Sequence, residues 1–83
     1  MTNLYTIMKA TIYKIVIFDA CENTHTIDPM IFWDRAAALQ EAERIFNDSD
    51  LIADSVYVYE EEADRETGAF RTTNLVKTLR KED

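Results

Sequence analysis

The spacing of apolar residues changes along the chain and predicts strands on either side of one helix. Residues Thr11 to Asp19 are mainly β-branched and aromatic, a composition that favours a strand. The segments Ser55 to Glu60 and Phe70 to Leu79 have the same character. From Arg35 to Asn47 the apolar residues instead recur at intervals of three and four, which places them on one face of an amphipathic helix. These residues are Ala36, Ala38, Leu39, Ala42, Ile45 and Phe46.

The residues that flank this helix indicate where it begins and ends. Asp34 is a suitable N-cap, because its carboxylate can accept the backbone N–H groups of the first turn. Asn47 tolerates the left-handed conformation that is common at a helix end. Asp28 followed by Pro29 gives an alternative start, which would extend the helix through Phe32. The sequence alone does not decide between the two starts.

Turn-forming residues connect the predicted strands. Gly68, the only glycine of the chain, ends the segment Asp64 to Gly68, where a hairpin loop needs a residue with positive φ. Thr24 to Ile27 lies between two turn-like dipeptides and is a candidate for a short strand beside the end of the first. We therefore expect residues 1–83 to form a single α+β domain of order β-α-β-β, with one amphipathic helix packed on a small antiparallel sheet.

Both faces of this predicted sheet are apolar, although a single helix can cover only one of them. In the first strand Ile15 points to one face and Val16 to the other, because successive strand residues alternate. Four candidates would cover the second face: residues 4–8, residues 30–33, a second copy of the chain, or a partner protein. The second copy would make the protein a homodimer.

Charge and composition narrow the classes of ligand and the compartment. The 83-residue chain has a net charge of −7, which argues against nucleic acid or an anionic membrane as a direct ligand. Glu41 to Glu66 holds ten acids against two bases, so the acidity belongs to one stretch. A single cysteine, no signal-peptide pattern and no apolar run of membrane-spanning length lead us to expect a cytoplasmic location.

Chemically reactive side chains gather after the first strand but are too few to make a site. A structural zinc site generally needs four ligands in two spaced pairs, and this chain has one Cys and one His. Cys21 and His25 match a nucleophile and its base, but catalysis also needs a concave pocket and a third orienting group, and a domain of this size seldom encloses such a pocket. One glycine excludes a Gly-rich phosphate loop. We expect no catalytic residue, no metal and no cofactor, and hence a protein that is not an enzyme.

The acid cluster is the strongest candidate for a function. Glu60 and Glu62 share one strand face at a spacing of about 6.6 Å, and we expect Tyr57 and Tyr59 to lie beside them. Carboxylates beside tyrosines suit an arginine-rich protein surface, because Arg binds carboxylates through two bonds and stacks on aromatic rings. The competing interpretation is a solvated hairpin tip that discourages edge-to-edge pairing. The predicted partner-binding residues are Asp48, Asp50, Asp54, Tyr57, Tyr59, Glu60, Glu61, Glu62, Asp64 and Glu66.

In size, charge and architecture the chain resembles the small phage-encoded anti-CRISPR proteins, with its acids concentrated along Asp48 to Glu66. The resemblance implies an inhibitor that binds a CRISPR effector and blocks guide-directed DNA binding or cleavage, often as a DNA mimic in the basic DNA channel. Outside residues 41–66 the chain has a net charge of +1, which departs from the charge of the most acidic DNA mimics. The alternatives are an acidic antitoxin or regulatory subunit that neutralises a basic partner, and a self-associating structural module.

Overall fold

The computed structural model describes residues 9–48, 54–64 and 66–81. Within these ranges the chain forms four strands and one helix, namely β1 (Lys9–Asp19), β2 (Thr24–Ile27), α1 (Arg35–Phe46), β3 (Ser55–Asp64) and β4 (Phe70–Arg80). The α+β class, with one helix on an antiparallel sheet, is confirmed. The predicted β-α-β-β order is not confirmed. The short segment after β1 is a strand of its own, and α1 follows that strand.

The sheet has the strand order β2-β1-β3-β4, and every neighbouring pair is antiparallel. The central pair is regular throughout, from Lys9 opposite Asp64 to Phe18 opposite Ser55. Its outer neighbour β4 is irregular, because its register shifts twice and skips Val76 and then Thr73. Bulges of this kind twist an edge strand and discourage pairing with another chain.

The helix begins and ends where its caps allow. The Asp34 carboxylate accepts the backbone N–H of Ala37 at 3.2 Å, so the start at Arg35 is confirmed. At the other end Asn47 donates its backbone N–H to the Glu43 carbonyl, but with φ of −88° it stays right-handed rather than left-handed. The helix is therefore a single unit of 12 residues.

The alternative helix start at Asp28 is wrong because the following residues join the sheet edge instead. Phe32 exchanges two backbone hydrogen bonds with Tyr13 of β1, at 2.8 and 3.0 Å. Between this bridge and β2, the Asp28 carboxylate accepts the backbone N–H of Met30 at 2.8 Å and fixes a turn. Phe32 packs against the core beside α1, whereas Ile31 lies towards the opposite sheet face.

The core lies between α1 and one face of the two central strands. Two alanines of the helix, Ala38 and Ala42, are fully buried and let the helix approach the sheet closely. Of the predicted apolar stripe, Leu39 and Phe46 lie half-buried at the margin, and Ala36 is exposed. The buried cluster consists of Tyr13, Ile15, Ala38, Ala42, Ile45, Val56 and Val58.

Removal of the helix cap should be measurable. We expect Asp34→Ala to lower the free energy of unfolding by about 1 kcal/mol, because an N–H of the first turn loses its acceptor. Urea denaturation measures this difference. Gln40→Ala, an exposed change within the same helix, is the control and should alter stability by less than about 0.5 kcal/mol. Equal effects of the two changes would contradict the capping role.

Candidate functional site

We call the sheet face opposite α1 the open face. In the described part of the chain no helix or strand packs on it. Three of its apolar side chains keep about half of their surface exposed, namely Ile27 at 58%, Phe70 at 57% and Leu75 at 48%. Contiguous exposed apolar groups on a small domain mark an interaction surface. The open face consists of Ile12, Lys14, Val16, Ile27, Tyr57, Tyr59, Glu61, Phe70, Thr72 and Leu75.

Strand alternation divides the predicted acid and tyrosine surface between two faces. β3 pairs with β1 without interruption, so its residues alternate strictly. Tyr57 and Tyr59 lie on the open face, whereas Glu60 and Glu62 lie on the side of α1. The expectation that the tyrosines stand beside this pair of glutamates is therefore wrong. The carboxylate that shares the tyrosine face is Glu61.

Glu60 is engaged within the fold on the helix side. Its Oε2 accepts the Tyr13 hydroxyl at 3.2 Å and a guanidinium N–H of Arg35 at 3.3 Å. Its Oε1 accepts the Thr73 hydroxyl at 3.2 Å. The carboxylate thus joins β1, the first residue of α1 and the edge strand. The hydrogen bonds of Tyr13 and of Glu60 raise the pKa of Arg35, in keeping with a shared network.

Glu61 is the most buried acid among the described residues, with 6% of its surface exposed. Its Oε2 lies 2.9 Å from Lys14 Nζ and accepts the Thr72 hydroxyl at 2.6 Å. Burial alone would raise the pKa of Glu61, but the hydrogen bond from Thr72 and the hydrogen bond and charge of Lys14 outweigh it. The pKa of Glu61 therefore lies below its usual value of 4.5.

The remaining predicted acids fall into structural and exposed groups. Asp64 accepts the backbone N–H of Glu66 at 2.9 Å and stabilises the hairpin turn, in which Gly68 has the expected positive φ of 74°. Asp54 accepts the backbone N–H of Ala20 at 2.6 Å and so connects the start of β3 with the turn after β1.

The other predicted acids are more exposed or lie outside the described residues. Glu62 contacts Arg71 at 3.3 Å. Asp48 and Glu66 are exposed, and Asp50 lies outside the described residues.

The two tyrosines form one aromatic pair on the open face. The ring centroids of Tyr57 and Tyr59 lie 6.2 Å apart with an interplanar angle of 32°. Lys14 Nζ lies 6.0 Å from the centroid of the Tyr59 ring, at the outer limit of a cation–π contact. Both tyrosines are half-buried, so each ring keeps a surface for a partner. Both rings lie on the open face and so face outward, as predicted. The predicted neighbours Glu60 and Glu62 lie on the other face of the sheet.

A cleft opens on the same face beside β2. Its volume is about 370 Å³, which lies in the range of small-ligand sites. The cleft is lined by Ile12, Lys14, Ile27, Asp28, Ile31, Glu61 and Phe70. Of these residues, the sequence prediction placed only Glu61 in the partner-binding surface. The available signal was Lys14, a lone cation between apolar neighbours in a strand that is otherwise uncharged from Ala10 to Phe18.

Cys21 and His25, the two reactive side chains after β1, are both exposed. Cys21 forms no disulfide, and the His25 ring lies beside Phe18 with centroids 4.6 Å apart. In residues 9–48, 54–64 and 66–81, no three His, Cys, Asp or Glu side chains come together in a group able to hold a metal. The helix within these ranges is neither long nor apolar enough to span a bilayer.

Comparison with known proteins finds no matching family model, no matching curated protein and no matching solved structure. Function is therefore inferred from the chemistry of the open face and from the charge of the chain.

Proposed function

We propose that this chain is a non-enzymatic inhibitor that binds a basic, nucleic-acid-handling bacterial protein, with CRISPR effectors as the class of partner. The observation that carries the proposal is the open face, where the Tyr57–Tyr59 pair lies beside the half-exposed Leu75 and shares the face with the half-exposed Phe70. Tyrosines combine a large apolar contact area with a polar hydroxyl and are enriched in protein interfaces. Such a surface suits a protein partner, whose DNA binding or cleavage the bound inhibitor blocks.

Charge complementarity supports a basic partner. The net charge of −7 attracts a positive groove and repels nucleic acid. Because Glu60 and Glu61 are paired with Arg35 and Lys14, they add little to this field. Exposed acids such as Glu66 at the hairpin end contribute more. In this proposal the acids steer the encounter, and the tyrosine face supplies the lasting contact.

Self-association is the second candidate function, because the open face also exposes aliphatic groups such as Ile27. A second copy placed on this face would bury the same tyrosines. Sedimentation at increasing protein concentration separates the two candidates. A dimer that persists at micromolar concentration and dissociates on Tyr59→Ala would favour self-association over inhibition.

The inhibitor proposal is tested with purified, guide-loaded CRISPR effectors of several types. Each effector is titrated with the protein while DNA binding and DNA cleavage are measured separately. Loss of either activity near one inhibitor per effector supports the proposal. Unchanged DNA binding and cleavage across the panel contradicts it, and neutralisation of a basic toxin in a parallel assay would instead support the antitoxin alternative.

The tyrosines should control the lifetime of the complex. We expect Tyr57→Ala or Tyr59→Ala to raise the dissociation rate about five- to thirtyfold, or about 1–2 kcal/mol, through lost contact area. Surface plasmon resonance measures the rate. Phe at either position keeps the ring and is the matched control. A rate that responds equally to Phe and to Ala would show that the hydroxyl, not the ring, makes the contact.

The hairpin-end acid should control the encounter. Glu66→Lys is expected to slow association about two- to fivefold at low salt and to leave dissociation unchanged, because an exposed charge acts at long range. Glu22→Lys, an exposed acid beyond the opposite end of β1, is the control with the same charge change. Equal slowing by both variants would mean that net charge alone steers binding. No effect of either, at any ionic strength, would refute steering.

A further inference from the structure

The cleft on the open face combines apolar walls with an excess of negative charge. Ile12, Ile27 and Ile31 provide aliphatic surface, and Phe70 provides an aromatic ring. Among the described lining residues, Asp28 and Glu61 carry carboxylates and Lys14 carries an ammonium group. Their formal charges sum to −1. A ligand that matches this lining carries an apolar stem and a positively charged end.

Both carboxylates of the lining already accept hydrogen bonds within the fold, which fixes their positions. In Glu61 the donors found among the described residues both reach Oε2. In Asp28 the backbone N–H of Met30 reaches Oδ1, and this residue also lines the cleft. Glu61 is itself more than nine-tenths buried, so its carboxylate is a fixed part of the cleft wall.

We infer that the cleft receives an arginine side chain of the basic partner, an inference that rests on the proposed function. The guanidinium group offers several donors in a planar fork, which can serve two carboxylates at once. It is more weakly hydrated than an ammonium group and stacks on aromatic rings, so it tolerates the isoleucine walls and gains from Phe70. The methylene stem packs on the aliphatic walls. A lysine would satisfy the charge but not the fork or the stacking.

The test uses a small probe rather than the unidentified partner. N-acetyl-arginine-methylamide is titrated into protein with labelled isoleucine methyl groups, and NMR shifts are followed. We expect saturable shifts at Ile12, Ile27 and Ile31 with a Kd of about 1 mM, the affinity of a single-residue ligand. The neutral isostere citrulline, as the same derivative, should bind at least about tenfold more weakly, and the lysine derivative should lie between them.

Asp28→Asn should weaken binding of the arginine derivative about three- to tenfold, because it removes one negative charge from the cleft. Asn keeps the side-chain oxygen that accepts the Met30 N–H, so the turn is retained. Asp19→Asn is the matched control, because Asp19 accepts the backbone N–H of Cys21 at 2.9 Å in the same kind of turn but lies outside the cleft lining. Equal loss of affinity in both variants would overturn the inference.

The other possible results of these experiments also test the arginine site. Equal binding of arginine and citrulline, or shifts confined to residues outside the cleft, overturns the arginine site. A concentration-dependent dimer that broadens the cleft methyls and resists competition by arginine would show that a second copy occupies the cleft instead. If effector inhibition is observed without arginine binding, the proposed function stands and the arginine site fails. If arginine binds but no effector is inhibited, the site stands and the proposed function fails.

Discussion

Ile15→Ala is expected to lower the free energy of unfolding by about 2–5 kcal/mol, which is much of the stability of a domain this small. Ile15 has no exposed surface and lies at the centre of the core, where α1 packs on the sheet. Truncation removes apolar contacts and leaves a cavity. Its neighbours Ala38 and Ala42 are short side chains on a helix already close to the sheet, so they cannot fill that space.

Urea denaturation followed by circular dichroism measures the effect. Ile31→Ala is the matched control, because it removes the same atoms from a side chain whose residue is 52% exposed. This change should cost less than about 1 kcal/mol, in proportion to its smaller buried area. Similar midpoints for the two variants would mean that α1 does not form the core with β1.

Local pattern predicted the helix and the three longer strands but not the rotation of the helix about its axis. The caps at Asp34 and the β-branched runs are local signals, and the structure follows them. The predicted stripe contains Ala38 and Leu39 alike, yet Ala38 is fully buried and Leu39 is half-buried. Which part of an apolar face is central depends on how closely the helix approaches the sheet. Small residues allow the closest approach, and periodicity does not measure it.

The division of the candidate site could have been predicted, because it depends only on the two-residue period of a strand. Tyr57, Tyr59 and Glu61 have the same parity, and Glu60 does not. The sequence prediction grouped consecutive acids into one surface, although neighbouring residues of a strand point to opposite faces. The Lys14 partner could not be predicted in the same way. Lys14 lies opposite Tyr59 and diagonal to Glu61 because of the register between β1 and β3. This register brings Lys14 close to Glu61, which is 47 positions further along the chain.

Glu61→Ala is expected to cost about 2–4 kcal/mol. Breaking a buried ion pair from one side leaves the other charge without compensation, at about 3–5 kcal/mol when burial is complete. Lys14 retains 25% of its side-chain exposure and can regain some hydration, so we expect the lower range. Thr72 also loses its acceptor. Glu43→Ala, an exposed acid on α1, is the control and should change stability by less than about 0.5 kcal/mol.

Replacement of both partners separates the ion pair from its packing. Glu61→Leu combined with Lys14→Met removes both charges and keeps apolar volume, and such replacements are often neutral or stabilising. We therefore expect the double variant to be more stable than Glu61→Ala by at least about 2 kcal/mol. A double variant as unstable as the single one would show that the carboxylate is needed for its hydrogen bond with Thr72 rather than for Lys14.

Acid should remove the stabilisation that this pair provides. Because the pKa of Glu61 is lower in the folded chain than its usual 4.5, the contribution is complete above about pH 5 and is lost as pH falls through the folded value. Stability of the natural chain should therefore decline as pH falls from about 5 into the acid range. The double variant, which lacks the titrating carboxylate, should decline less over the same range. Thermal midpoints measured at half-unit pH steps give both curves, and parallel curves would assign the acid sensitivity to other carboxylates, such as Glu41, whose pKa Arg44 also lowers.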